Sequence, residues 1–130
     1  MEVGQDLQPI TRTPTREQLR AYAESSRDRN PIHIDDGFAR DKAGLPGVIV
    51  HGMLSMAFLA DLVALNFPEA EWELCRFRAR FRKVAFPGEA LSCDGTVRDI
   101  DPDGLVQVAV SAKNPAGEIT TDGVAYLRRK

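Results

Sequence analysis

The stretch that decides the fold is Gly52–Asn66, with the sequence GMLSMAFLADLVALN. Its apolar residues recur on nearly every side of a helix, a pattern that predicts a buried helix rather than one lying on a surface. Pro68 follows closely and stops the helix. The segment is short and contains Asp61 and Asn66, so we do not expect it to span a membrane.

After this helix the sequence changes to a two-residue period. From Cys75 to Arg82 apolar residues alternate with arginines, which predicts a strand with one buried face and one solvated face. Three more strands are predicted, over Ala90–Ile100, from Leu105 to Val110 and over Ile119–Leu127, separated by turn sequences rich in Pro, Asp, Asn and Gly.

The segment before the central helix predicts shorter elements. Leu7–Thr13 alternates weakly and predicts a first strand. Thr15–Ser25 predicts a helix capped by the Thr15 hydroxyl, and Gly37–Ala43 predicts a second short helix capped by Asp36. Helices followed by an antiparallel meander are typical of an α+β protein. We therefore expect one domain over residues 1–130, with a sheet curled around the helix Gly52–Asn66.

Composition excludes several classes of protein. The chain has 130 residues, 43% of them hydrophobic, which is the size and content of one ordinary globular domain. Its 17 Lys and Arg against 19 Asp and Glu give a net charge of −2, which argues against a nucleic-acid partner. Two cysteines and two histidines are too few for a disulfide scaffold or a structural zinc site. We expect a reduced, cytoplasmic protein without a signal peptide or a membrane partner.

Both histidines lie in one short window, from Asp28 to His51. Asp28 and His33 flank an Asn-Pro turn, so an acid and an imidazole can converge on one small volume. Gly52 begins the central helix, where free backbone N–H groups and the helix dipole can hold a developing oxyanion. A base, an acid and an oxyanion site are the parts needed to add or remove water beside a thioester carbonyl.

These residues carry a resemblance to a known family. Ser26–Asp35 (SRDRNPIHID) and Ile49–Met53 (IVHGM) resemble the hydratase motif of the MaoC-like hot-dog dehydratases, which include (R)-specific enoyl-CoA hydratases and 3-hydroxyacyl-thioester dehydratases. Phe81–Leu91 (FRKVAFPGEAL) is similar to the segment that follows the central helix in that family. The likeness extends over nearly the whole chain and implies a hot-dog fold.

The resemblance also assigns roles to residues. It implies that Asp28 and His33 are the catalytic pair and that the Gly52 N–H binds the thioester carbonyl, with His51 and Asn30 as neighbouring substrate-binding residues. The residues alone favour a different role for His51, in which its ring binds a backbone carbonyl and shapes the turn into the helix.

Asp35 is expected to anchor the loop. Two positions depart from the family pattern: Arg27 stands where a small residue, often glycine, is usual, and Ala60 stands where some relatives carry a serine.

The activity implied by the resemblance is that of a hydro-lyase. It would reversibly hydrate trans-2-enoyl thioesters of coenzyme A or an acyl-carrier protein to (R)-3-hydroxyacyl thioesters, without a metal or other cofactor. The family implies a homodimer or a pair with a related hot-dog subunit.

Two alternatives share the fold. A hot-dog thioesterase needs a carboxylate on the central helix, where Asp61 is the only acid and lies far from Gly52. An acyl-binding subunit of a heterodimeric dehydratase is disfavoured because Asp28 and His33 are both present.

Two further patterns have competing interpretations. The arginines of the predicted strand, above all Arg78 and Arg80, are expected to form a solvated face, with contact to a coenzyme A or carrier-protein phosphate as the functional alternative. His33, Asp35 and His51 could also be interpreted as an iron site with two histidines and one carboxylate. Their closeness in sequence, just before a buried helix, argues against that interpretation.

Overall fold

The structure is a computed structural model that describes residues 1–130, in which a group of short helices precedes a sheet. The helices are α1 (Arg16–Ser26), a 3₁₀ turn (Pro31–His33), α2 (Asp36–Asp41) and α3 (Gly52–Asn66). The strands are β1 (Ile10–Arg12), β2 (Trp72–Phe81), β3 (Leu91–Ile100), β4 (Val106–Lys113) and β5 (Ile119–Arg129). No helix combines the length and the apolar character that crossing a membrane requires.

The five strands form one antiparallel sheet in the order β1-β3-β4-β5-β2. Tight turns join β3 to β4 and β4 to β5, where Gly104 and Gly117 adopt φ of 87° and 81°. Their N–H groups close the turns onto Asp101 and Asn114. β2 comes before β3 in sequence but pairs with β5, so it forms one edge of the sheet and its outer side is unpaired.

Helix α3 lies against the inner face of this sheet. Its bounds are those that the sequence predicts, and its buried side chains meet alternate residues of β3, β4 and β5. The apolar core they share includes Leu54, Phe58, Leu59, Leu62, Val97, Val108, Val110, Ala125 and Leu127. Full burial of each Leu, Val or Phe side chain among them contributes about 1.5–3 kcal/mol. This helix wrapped by an antiparallel sheet is the α+β hot-dog fold, as predicted.

The expectation that α3 is buried all round is wrong. Met53 is 56% exposed, and Ala57, Asp61 and Leu65 lie on the same open side. A single sheet covers only one side of a helix, and the N-terminal segments of the chain do not reach the rest. The apolar stripe in the sequence therefore includes a face that this chain leaves uncovered.

The predicted cap of the second helix is also wrong by one residue. Asp35 caps α2, because its Oδ1 accepts the Phe38 N–H at 3.1 Å. Asp36 instead accepts the Val48 N–H at 3.0 Å and a hydrogen bond from Arg16 at 2.6 Å. These two bonds lower the pKa of Asp36, and they tie α1 to the segment that leads into α3.

Strand β2 departs from the simple alternation. A register shift between Leu74 and Arg76 leaves Cys75 exposed instead of buried. Beyond the shift, Phe77 and Ala79 turn toward the core, whereas the arginines between them point outward. Cys93 of β3 is fully buried, and burial raises its pKa to about 11.

A glycine on β5 sets how closely β2 can pair. A Cβ at Gly123 would lie 2.2 Å from the Arg78 backbone oxygen. We expect Gly123→Ala to lower the free energy of unfolding by about 2 kcal/mol or more, because the pairing must open. Denaturant unfolding measures this loss. Gly104→Ala is the control, since that site is open and only its φ of 87° is strained, at about 1 kcal/mol. A loss at Gly123 no larger than at Gly104 would contradict the packing argument.

Candidate active site

The segment after α1 turns His33 into the protein. Arg27 ends α1 in the left-handed region with φ of 63°, and Asp28 follows it. Asn30 then caps the 3₁₀ turn, because its Oδ1 accepts the Ile32 N–H at 3.2 Å. Pro31 is suited to the first position of such a turn because it lacks an N–H. Asn30 thus has a local structural role, in addition to the substrate contact that the sequence predicts for it.

The His33 ring is fixed by one strong hydrogen bond. Its Nδ1 lies 2.8 Å from the Ile49 carbonyl oxygen, and the residue is only 8% exposed. A carbonyl can only accept, so Nδ1 carries the proton and Nε2 keeps a free lone pair. Nε2 lies 3.9 Å from Oδ2 of Asp28, whose side chain is about half exposed.

This gap is too long for a direct hydrogen bond. A water oxygen at hydrogen-bond length from both atoms would see them at an angle of about 90°, close to its own hydrogen-bonding geometry. The pair predicted from sequence is therefore together in space, with room for one shared water.

His51 lies behind this pair. Its ring stacks on that of His33, with 3.8 Å between ring centroids and 22° between planes, and the edge of Tyr22 meets its other side at 4.8 Å. Nε2–H donates to the Asp28 carbonyl at 3.1 Å, so the predicted bond to a backbone carbonyl is present. The ring is 1% exposed, and burial lowers the pKa of His51, although the bond to Asp28 acts in the opposite direction.

The N-terminus of α3 supplies free donors beside His33. The N–H groups of Gly52 and Met53 have no acceptor within the chain. A Cβ at Gly52 would lie 3.1–3.3 Å from the ring of Phe81, so glycine leaves room for that aromatic ring as well as for a ligand. Two unpaired N–H groups at the positive end of a helix can bind a carbonyl oxygen that becomes negative.

A cavity of about 350 Å³ joins His33 to this helix terminus. Besides His33 and Gly52, its polar lining includes Ser55 and Thr121, which are both buried. The apolar lining consists of Ile49, Val50, Phe81, Val84 and Ala85. Sequence reasoning missed Thr121 entirely. Ser55 lies three residues after Gly52 on the same face of α3, a spacing that could have identified it.

Positive charge stands at the mouth of the same cavity. Arg82 and Lys83 line it and form ion pairs with Asp122 and Glu118, the first at 2.7 Å. Arg78 and Arg80 point to the outer face of the sheet and line a depression there of about 590 Å³, which Arg82 also borders. The strand thus separates the two arginines chosen from sequence from the cavity that holds His33.

One side-chain ligand atom from each of Asp28, His33 and His51 lies within 4.8 Å of the other two. A metal bound by both histidines would have to lie in both ring planes, and nearly parallel stacked rings do not offer such a point. Asp35, the carboxylate of the iron-site interpretation, caps α2 instead. The donor set does not fit a metal held by two histidines.

Comparison with known proteins now identifies the class. The model of the MaoC-like domain matches residues 1–116. The chain belongs to this family.

Individual relatives agree with that membership. A mitochondrial 3-hydroxyacyl-[acyl-carrier-protein] dehydratase of Arabidopsis thaliana is 41% identical over 70 residues, which are 54% of this chain and 41% of that protein. The 3-hydroxyacyl-thioester dehydratase Y of Mycobacterium tuberculosis is 40% identical over 87 residues, 61% of this chain and 28% of that protein. The chain thus spans less than half the length of either relative.

A solved structure covers more of the chain. The unliganded R-hydratase PhaJ1 of Pseudomonas aeruginosa superposes with a TM-score of 0.89 at 29% identity, over 99% of this chain and 82% of that one.

The left-handed residue before Asp28 gives a test of local strain. A side chain at φ of 63° costs about 1 kcal/mol that glycine avoids. We expect Arg27→Gly to raise the free energy of unfolding by about 0.5–1 kcal/mol, the gain being reduced by the larger entropy of glycine in the unfolded chain. Thermal or denaturant unfolding measures it. Arg27→Ala keeps the strained Cβ and should give no gain, so equal stabilisation by both variants would rule out backbone strain as the cause.

Proposed function

We propose that this MaoC-like domain is a hydro-lyase that adds water reversibly to trans-2-enoyl thioesters and forms (R)-3-hydroxyacyl thioesters. One observation carries the proposal: the free Nε2 of His33 faces the Asp28 carboxylate across 3.9 Å, beside the open N-terminus of α3. The activities in the names of the relatives above support it. The (R) configuration rests on the family resemblance and on the R-hydratase likeness.

The reaction can be written through the residues at hand. A water held between His33 and Asp28 gives a proton to His33 Nε2 while its oxygen bonds to C3 of the enoyl group. The C2=C3 electrons move toward the thioester carbonyl, and the oxygen that becomes negative is held by the Gly52 N–H. C2 then takes the proton that His33 Nε2 received, so one water is added in total and both residues return to their starting state. Asp28 orients the water in this scheme, and exchanging the roles of the two residues gives the same balance.

The thioester must enter with a charged carrier, either coenzyme A or an acyl-carrier protein. Arg82 and Lys83 are better placed than Arg78 and Arg80 to meet a phosphate of that carrier, because they stand at the mouth of the cavity that contains His33. Each is held by a carboxylate in this structure, and a phosphate could exchange for that partner.

The uncovered surfaces favour pairing with a second hot-dog domain, either another copy or a related subunit. β2 has an unpaired outer side, and α3 leaves Met53 and Leu65 exposed. Phe81, at the end of β2, is 52% exposed although it lines the cavity. A partner on this side would cover these exposed apolar residues and would at the same time narrow the cavity that Phe81 lines.

The thioesterase alternative finds little support. Asp61, the only acid on α3, is exposed and lies 3.5 Å from Arg12 in an ion pair. It lies nine residues beyond Gly52, roughly 13 Å along the helix axis, so it cannot serve a carbonyl bound there. The acyl-binding alternative leaves the ordered Asp28–His33 pair without a role.

The main test combines an activity assay with substitution of Asp28 and His33. Purified protein should hydrate a trans-2-enoyl-CoA, seen as loss of enoyl absorbance, and the product should be the (R) isomer by chiral analysis. Asp28→Asn and His33→Gln should each lower kcat/KM by about 10²–10⁴-fold, the usual contribution of a general acid or base. The double variant should be little worse than the poorer single one, because the two groups act on one water.

Different outcomes would contradict the reaction type and the role of His33. Release of free thiol without loss of the enoyl group would make the protein a thioesterase. Activity within about tenfold of wild type in His33→Gln would remove His33 as the base. Melting temperatures measured on the same samples exclude loss of activity through unfolding.

The carrier contact gives a second test, in KM. Arg82→Gln and Lys83→Gln should raise KM for the enoyl-CoA several-fold with little change in kcat, since uniform binding energy is lost. The effect should shrink at high salt. Arg78→Gln and Arg80→Gln are the matched variants on the outer face. A rise in KM confined to this second pair would assign the phosphate contact to the residues first chosen from sequence.

A further inference from the structure

His51 touches both members of the catalytic pair without touching the cavity. Its ring covers one face of the His33 ring at 3.8 Å, and its Nε2–H holds the Asp28 carbonyl at 3.1 Å. At 1% exposure the ring is out of reach of a substrate. Any effect of His51 on the reaction must therefore act through its two neighbours.

We propose that His51 is a positioning residue that sets the geometry between Asp28 and His33 from behind. The hydrogen bond fixes the backbone of Asp28, and the stacked face fixes the plane of the His33 ring. This inference rests on the hydration proposed above.

Each contact supplies a constraint that the pair lacks on its own. The bond from His33 Nδ1 to Ile49 holds one atom of the ring, but the ring can still tilt about that bond. The flat face of His51 removes this freedom. Asp28 follows the left-handed Arg27 at the start of an exposed loop, and its carbonyl is tied down by His51. Because His51 is the residue just before α3, both constraints originate at one rigid point.

The role also requires that His51 stay uncharged. The groups that face it are the Tyr22 ring edge, the His33 ring and the Asp28 carbonyl. The carbonyl takes the proton on Nε2, and the buried Nδ1 has no hydrogen-bond partner in the chain. A neutral aromatic face stabilises the cation that His33 becomes when it accepts a proton, whereas a charged ring at this distance would oppose it. In this scheme His33 accepts the proton of the water, whereas His51 stays neutral.

Two substitutions separate the two contacts. His51→Gln keeps an amide nitrogen near the position of Nε2 and removes the stacked ring, whereas His51→Phe keeps a ring and removes the donor. We expect each to lower kcat by about ten- to hundredfold while KM changes little, since misplacement of a catalytic group reduces the rate of the chemical step.

The decisive measurement repeats both substitutions in the His33→Gln protein. A residue that acts by placing His33 should cost at most about twofold in kcat/KM once His33 is gone. Equal losses in both backgrounds would overturn the proposal and leave His51 a residue of general stability, as would unchanged kcat in the single variants. Failure of the proposed function is a different result, because then the wild-type protein does not hydrate the enoyl thioester.

A test that does not depend on enzymatic activity is nitrogen NMR of the two imidazole rings. The chain has two histidines, so the spectrum of His51→Gln or of His33→Gln assigns both sets of signals. We expect His51 to remain neutral and protonated on Nε2 around neutral pH. A charged His51, or one protonated on Nδ1, would overturn the proposal even if neither variant folds.

Discussion

The site depends on one pair of hydrogen bonds between the loop after α1 and the segment that leads into α3. The Ile49 N–H donates to the Ile32 carbonyl at 3.0 Å, and the Ile49 carbonyl accepts from His33 Nδ1 at 2.8 Å. The same segment is held on its other side, where the Val50 N–H donates to the Ala85 carbonyl at 2.8 Å. Val48, Ile49 and Val50 are all buried, so these bonds are shielded from water. A loop that would otherwise move is thereby fixed to the helix that completes the site.

This constraint explains why Asp28, His33 and the Gly52 N–H, for which we propose acid–base and oxyanion-binding roles, meet although they come from separate elements. Asp28 and His33 come from a polar loop, which taken alone is among the less stable kinds of structure. Gly52 belongs to a helix whose following turns form the core. The Ile49 bonds and the Asp36 bond to Val48 join the two, so the loop takes on the rigidity of the core. Catalytic groups need this kind of support, since small displacements cost large factors in rate.

The sequence predicted most of the fold because its strongest patterns are local. The apolar run Gly52–Asn66 gave the bounds of α3, and two-residue alternation gave the strands. The errors arose where a distant partner decides the outcome. Asp36 does not cap α2 because its carboxylate accepts hydrogen bonds from Arg16 and Val48, which are both distant in sequence. The exposure of one face of α3 could not be predicted from the sequence. Apolar periodicity does not distinguish a face that the chain's own sheet covers from a face that stays uncovered.

The candidate site was predicted unevenly for the same reason. Asp28, His33 and Gly52 sit in short motifs, so spacing and family resemblance identify them together. Thr121 lies some 90 residues from His33 in sequence, and only the register of β5 against β2 brings its hydroxyl to the cavity. Arg78 and Arg80 were chosen for charge, yet strand alternation turns them away from the side on which Phe81 meets Gly52. The two-residue alternation of β2 thus separates an outer basic face from the inner face that lines the candidate site. Arg82 and Lys83 directly follow the strand and place positive charge beside the cavity that holds His33.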